Sequence, residues 1–327
     1  MLICPMLKTV LRMLPLGLAL CAWPALAPAQ APYPTRPVHI VVPFPAGTSP
    51  DVVMRLVGQK LSQLWDQPVL IENRTGAAGS IGAQAVASAA PDGYTLMYTI
   101  NSVICANQHL YSKLTYDPLR SFAPVSLVVN LGYVLLASPG VPARNLQELI
   151  AIAKAQPGKL NYGSAGDGSG NHIVMELLSR MAGVSMQHIP MRTANITALI
   201  SGEIDLTMAP YTTGVPAAKG GKLRALGVTL AKRSEAIPDV PAIGEVLPGY
   251  LGDAWHGLFV TAGTPPAIVE KVSADTARVL AMPDVRSRLI ALGLEPIGNT
   301  PAEFSVIVKQ DYDKWGKVIR DAKIKLD

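Results

Sequence analysis

Apolar positions in this chain fall into short blocks set apart by Pro, Gly, Asn and Asp, and the blocks alternate between two kinds. Brief aliphatic runs at residues 39–42, 69–72 and 94–99 read as strands. Between them, residues 51–65 carry Val52, Val53, Leu56, Val57 and Leu61 near helical spacing, and residues 80–89 form a second helical stretch before the Pro91-Asp92-Gly93 turn. Strands at 125–129 and 133–137 and a helix at 146–155 follow, the helix ended by Pro157-Gly158. The pattern then restarts: a strand near 160–163, a small-residue loop, a helix at 172–181, and strands at 185–189, 204–208 and 223–229 around a short helix at 195–201. Pro238, Pro241, Pro248 and Gly249 crowd one irregular stretch, which reads as a crossing between domains. Helices near 266–281, 284–292 and 301–322 close the chain. Such alternation predicts an α/β protein with parallel sheets covered by helices.

Residues 1–31 stand apart from this pattern. Lys8 and Arg12 precede the apolar run Met13-Leu14-Pro15-Leu16-Gly17-Leu18-Ala19-Leu20, and small residues at A-x-A spacing follow at Ala25, Ala27, Ala29 and Ala31. That order predicts a cleaved secretory signal. The run is shorter than the ~20 residues a membrane span needs. Removing the segment takes Cys4 and Cys21 with it, so Cys105 is the only cysteine of the mature chain and no intrachain disulfide can form. The formal charge falls from +5 to +3 with Lys8 and Arg12 gone, too mild an excess for a nucleic-acid footprint.

Two strand–turn–helix units stand out. In the first, His39-Ile40-Val41-Val42 ends at Pro43-Phe44-Pro45-Ala46-Gly47-Thr48-Ser49-Pro50-Asp51. In the second, Tyr162-Gly163 leads into Ser164-Ala165-Gly166-Asp167-Gly168-Ser169-Gly170-Asn171 and a helix from His172. The first amides of a helix have no intrahelical partner and lie at the positive end of its dipole, so they hold an anion without a charged side chain. Two lobes, each presenting such a turn to a shared cleft, would make a two-sided anion clamp.

Other chemistries fit less well. The second loop has no lysine for a phosphate loop, and Asn171 stands where a dinucleotide motif needs glycine. It therefore reads either as an anion cradle with Ser164 and Ser169 as donors or as an exposed flexible loop. Ala78-Gly79-Ser80-Ile81-Gly82 has alanine at the first position of a nucleophile elbow. His39, His109, His172, His188 and His256 show no metal-ligand spacing. His172 either packs behind the loop or faces the cleft, and Asp51 reads as a helix cap. Lys309, Lys314, Lys317 and Lys323 read as a solvated helix face. A catalytic reading would need Ser164 or Ser169 hydrogen-bonded to His172 with a carboxylate behind it.

Tyr33-Pro34-Thr35-Arg36-Pro37 followed by Val41-Val42-Pro43-Phe44-Pro45-Ala46-Gly47 resembles the opening of the Bug-type extracytoplasmic receptors, the substrate-binding proteins of tripartite tricarboxylate transporters. The likeness continues through Val69-Leu70-Ile71-Glu72-Asn73-Arg74, Ala90-Pro91-Asp92-Gly93-Tyr94-Thr95-Leu96 and Tyr116-Asp117-Pro118 with Phe122-Ala123-Pro124-Val125. Pro157-Gly158-Lys159-Leu160-Asn161-Tyr162-Gly163-Ser164, Gly221-Lys222-Leu223-Arg224-Ala225-Leu226, Trp255 with Gly257, Ala262-Gly263-Thr264-Pro265 and Trp315 extend it over the whole mature chain.

The resemblance implies a two-lobed periplasmic binding protein fold of the Venus-flytrap kind, with mixed sheets flanked by helices and a ligand cleft between lobes. Lobe 1 would comprise residues 32–130 and 251–327, and lobe 2 residues 131–250. It implies a monomeric receptor, with no cofactor, metal or catalytic residue, that captures a dicarboxylate, amino acid or aromatic acid in the periplasm for membrane transporter subunits; a signalling sensor or an enzyme on the same scaffold is the alternative. Ligand contacts carried over by position are Phe44, Ala46, Gly47 and Thr48 on one side and Ser164, Ala165, Gly168 and Ser169 on the other, with Ser102 lateral and His172 behind the loop. Three departures from the family pattern fall where side chains would select the ligand. Thr48 replaces a second glycine, Met191-Arg192-Thr193 replaces Tyr-Lys-Gly, and Met208-Ala209-Pro210 replaces acidic or amide residues.

Overall fold

A computed structural model describes residues 33–191 and 196–326 of the protein. The secretory segment expected at 1–31, and Arg192 and Thr193, lie outside the described residues. The elements in chain order are β1 (Val38–Val42), α1 (Ser49–Trp65), β2 (Val69–Asn73), α2 (Ser80–Ala87), β3 (Thr95–Ile100), α3 (Asn107–Leu110), β4 (Phe122–Leu131), β5 (Tyr133–Ala137), α4 (Leu146–Ala155), β6 (Asn161–Ser164), α5 (Gly170–Ala182), β7 (Gln187–Pro190), α6 (Ile196–Ser201), β8 (Leu206–Pro210), α7 (Tyr211–Lys219), β9 (Arg224–Val228), β10 (Ala254–Thr261), α8 (Pro266–Leu280), α9 (Pro283–Ala291), β11 (Glu295–Pro296) and α10 (Pro301–Asp321). A π-turn at Ser102–Ala106 joins β3 to α3.

These strands form two sheets, in the orders β11-β4-β10-β3-β1-β2 and β7-β6-β8-β5-β9. Both are mixed, which corrects the purely parallel arrangement that alternation alone suggests. In the first, β1 pairs parallel with β2 and β3, while β10 runs antiparallel between β3 and β4. In the second, β6 is parallel to β7 and β8, and β5 is antiparallel to β8 and β9. The backbone passes from the first sheet to the second at Gly132, between β4 and β5, and returns between β9 and β10.

Four elements have no counterpart in the sequence reading, the four-residue α3 among them. All eight residues of β10 are buried, so it lacks the polar alternation that marks a one-sided strand. Gly257 within it lets the Phe304 ring of α10 lie directly on the strand, where a Cβ would collide. Gly214 and Pro216 disguise α7, yet a Cβ at Gly214 would stand 2.9 Å from Ala209 O, so glycine permits its close approach to β8. With only two residues, β11 is too short to show a period.

The closing helix, α10, is more than a solvated face. It buries Phe304, Val308, Asp311, Trp315, Val318 and Ile319 at helical spacing. The Trp255 Nε1–H donates to Asp311 Oδ2 at 2.7 Å, tying α10 to the centre of the first sheet. Arg180 of α5 pairs with Asp321 at 2.9 Å, tying the same helix to the second. No helix among the described residues is long and apolar enough to cross a membrane.

Candidate functional site

The two turns singled out in the sequence are built alike. Thr48 caps α1 and Ser169 caps α5, both with extended backbone, and neither hydroxyl caps its own helix. Thr48 Oγ1 donates back to Pro45 O at 2.6 Å, and Ser169 Oγ donates back to Gly166 O at 2.6 Å. The Asn145 and Thr300 side chains, by contrast, accept from the first-turn amides of α4 and α10. The helices behind the two Gly turns thus keep first-turn amides unmasked by their cap residues, where the dipole favours an anion.

In the first turn, Phe44 and Thr48 are half-buried while Ala46 and Gly47 are exposed. Asp51 is not the cap of α1, as its sequence position suggests; Thr48 is, and Asp51 stands inside the first turn. Its carboxylate, buried to 2% exposure, accepts from the Gly47 amide at 2.8 Å, from Arg55 Nε at 3.0 Å and from Asn73 Nδ2 at 2.9 Å. Burial by itself would raise its pKa, but these hydrogen bonds outweigh burial and hold it below the ordinary carboxylate value. Gly79 sits between the Phe44 ring and Val103, so the first turn adjoins the π-turn that carries Ser102.

In the second turn, Ser164 is fully buried and its Oγ lies 2.6 Å from His188 Nε2. The Gly168 amide donates to His172 Nδ1 at 3.1 Å, leaving that ring's proton on Nε2. Ala165 is exposed and its amide donates to Asn171 Oδ1 at 3.2 Å. The rings of His172 and His188 stack at 3.8 Å and 14°, with Tyr162 against His188 on the other side at 5.0 Å. Burial, with the His188 ring beside it, lowers His172 to about 4, and burial lowers His188 as well. His172 therefore packs behind the loop as a neutral ring.

Asp167 joins this stack, its Oδ1 3.4 Å from His188 Nδ1. Candidate ligand atoms of Asp167, His172 and His188 lie within 4.8 Å of one another. Two features argue against a metal centre. Stacked imidazoles aim their in-plane lone pairs side by side instead of at one point, and His172 Nδ1 is already an acceptor for Gly168. The Ser164–His188–Asp167 chain also has the connectivity of a catalytic triad, through His188 instead of His172. A serine with no exposed surface, its hydroxyl shared with the Gly166 backbone at 3.1 Å, meets no substrate. The cluster locks the loop.

A small pocket of about 30 Å³ opens between the two sheets. Ser102 and Asn101 line it after β3, Gly170, Ile173 and Val174 from the start of α5, Tyr133 and Asp253 where the backbone crosses between sheets, and Trp315 from α10. Of the residues expected at the site, only Ser102 lines it; the loop bearing Ser164, Ala165, Gly168 and Ser169 leads into Gly170, and Phe44 to Thr48 lie beyond the Ser102 turn. Tyr133, Asp253 and Trp315 were not expected at the site, although Trp315 is among the residues that carry the family likeness and Tyr133 opens an expected strand. Asp253 sits in an irregular stretch, and for Trp315 the family likeness and the helical period of apolar residues around it were the available signals. A second, wider groove of about 450 Å³, lined by Tyr211, residues 230–236, Arg286 and residues 293–296, contains none of the expected residues.

Residues 53–324 match the model of the tripartite tricarboxylate transporter family receptor. The chain belongs to this family. Protein BugT of Bordetella pertussis is 30% identical to this receptor over 92% of this chain and 94% of its own. MatC from Rhodopseudomonas palustris, solved with bound malate, is 35% identical with a TM-score of 0.70, covering 88% of this chain and all of that one. An R. palustris protein solved with adipate is 32% identical with a TM-score of 0.74, over 90% of this chain and all of that one. The receptor therefore has the two-lobed, mixed α/β fold of periplasmic binding proteins, and its family is one of solute receptors.

Proposed function

We propose that this receptor captures a small organic carboxylate in the pocket between its two sheets and presents it to the membrane subunits of a tripartite transporter. The observation that carries the reading is the pocket itself, bounded by the uncapped start of α5 and the Ser102 turn, in a chain related to proteins solved with malate and adipate. Phe44, Ala46, Gly47 and Thr48 belong to the wall of the first lobe, residues 32–130 and 251–327. Ala165, Gly168 and Ser169 belong to that of the second, residues 131–250, and Ser164, expected among them, is buried and holds their loop instead. His172 supports the second wall from behind. Closure follows from contacts a ligand makes to both lobes, because only differential affinity shifts such an equilibrium. The mature protein acts as a periplasmic monomer without cofactor or chemistry of its own.

A thermal-shift screen of the mature protein tests this. A carboxylate at about a hundredfold excess over its Kd should add ~2.7 kcal/mol of stability. Stabilisation by neutral sugars or simple amines, with none by any carboxylate, would overturn the reading.

A further inference from the structure

We propose that residues 324–326 form a clasp across the cleft. Leu326, with Leu110 beside it, holds the Gly168 loop of the second lobe against the first and so sets how long a ligand is kept. The role presupposes the receptor function above and regulates the same site.

The clasp begins where α10 stops. Ile324 N donates to Ile319 O and Lys323 N to Arg320 O, both at 3.1 Å, and Lys323 takes the left-handed conformation at φ 56°. This is the turn with which glycine commonly ends a helix, here adopted by a lysine against its steric preference. It turns Ile324 into the core, and the Leu326 amide then donates to Leu110 O, at the end of α3, at 3.1 Å. The segment is thereby fixed to the first lobe.

Two contacts reach from here to the second lobe. Asp321 pairs with Arg180 of α5, but both side chains are substantially exposed and such a pair contributes little. The other contact is apolar. A Cβ at Gly168 would stand 2.9 Å from Leu326 Cδ1 and 3.4 Å from each methyl carbon of Leu110, so both leucines lie on the Gly168 α-carbon. Gly168 has φ +71°, and its amide donates to His172 Nδ1. The loop is therefore held between the histidine stack of its own lobe and two leucines of the other.

The pocket, at about 30 Å³, has room for little more than water, so a carboxylate enters or leaves only when the lobes part. Parting them draws Gly168 off the leucines. Leu326 does not line the pocket. It acts on the balance between open and closed arrangements, and apolar surface buried only in the closed one favours that state. Removing its side chain should speed both entry and escape and lower affinity.

The test compares the natural mature protein with Leu326→Gly and Leu326→Met, titrated with malate, adipate, glutamate and benzoate in turn. Leu326 is 36% exposed, so its loss should leave Tm unchanged. For an acid that binds, Leu326→Gly should weaken affinity by about three- to tenfold, chiefly through faster release in stopped-flow measurements, and Leu326→Met should stay within about twofold of the natural protein. Hydrogen exchange of residues 165–169 in the ligand-free protein should quicken by about fivefold or more in Leu326→Gly alone. Affinity within about twofold in Leu326→Gly overturns the clasp, as does tighter binding, which would make the segment an obstruction. Unchanged exchange in the loop overturns it equally. Should none of the four acids bind the natural protein, the receptor reading fails for them, and loop exchange alone decides whether the segment holds Gly168.

Discussion

Asp51 holds the first turn closed from inside. Its carboxylate gathers a backbone amide, a guanidinium and an amide side chain at one buried point. Removing a buried, charge-assisted hub of this kind costs more than a neutral pair would. Asp51→Ala should lower stability by about 2–4 kcal/mol in urea unfolding, and a change within about 0.5 kcal/mol would show the hub to be dispensable. The helix-start role of Asp51 was legible from its place behind Thr48-Ser49-Pro50. Its bond to Asn73 was not, because that residue arrives from β2 through pairing with β1.

At the level of elements, the two turns repeat one construction roughly 120 residues apart, in which the cap hydroxyl folds back three positions and leaves the helix start open. The first turn was visible as a Pro/Gly break and the second as a Gly-rich one between a strand and a helix, and their hydroxyl geometry was not. What braces them differs. The first leans on α2, where a Cβ at Gly82 would lie 2.7 Å from Arg74 O and 2.8 Å from Pro43 Cβ. Gly82→Ala should therefore cost about 1–3 kcal/mol by overpacking, read as a lower Tm. The second is braced by the His172–His188 stack, which spacing in sequence could not reveal because β7 delivers His188 beside β6. Both histidines have depressed pKa values, and buried His256 in β10 is lowered to about 3. Below about pH 6.5 the unfolded chain gains protons that the folded one refuses, so stability should fall from pH 6.5 towards pH 4 and level off beneath the folded values. His172→Gln and His256→Gln should each flatten that slope. A slope unchanged by both would show that other groups control it.

For the whole molecule, fold class was legible because the alternation of strand and helix blocks survives in the apolar pattern, and the likeness to the receptor family supplied the two lobes. Sheet order was not, because β10, the strand that joins β3 to β4, is buried along its whole length and carries no period. The pocket lies where this topology brings together the end of β3, the crossover between β4 and β5, the start of α5 and the closing helix. A receptor working by lobe closure should bind there and not in the wider groove lined by Arg286 and residues 230–236. Ser102→Leu would fill the pocket from the first lobe, while Arg286→Ala would strip a cation from the groove. The most direct measurement is the calorimetric affinity of the best carboxylate for these two variants and the natural protein. With the Tm of both ligand-free variants unchanged, the account predicts that Ser102→Leu loses about a hundredfold or more in affinity and that Arg286→Ala stays within about threefold of the natural protein. Undiminished binding by Ser102→Leu with loss in Arg286→Ala would place the ligand in the groove and contradict it.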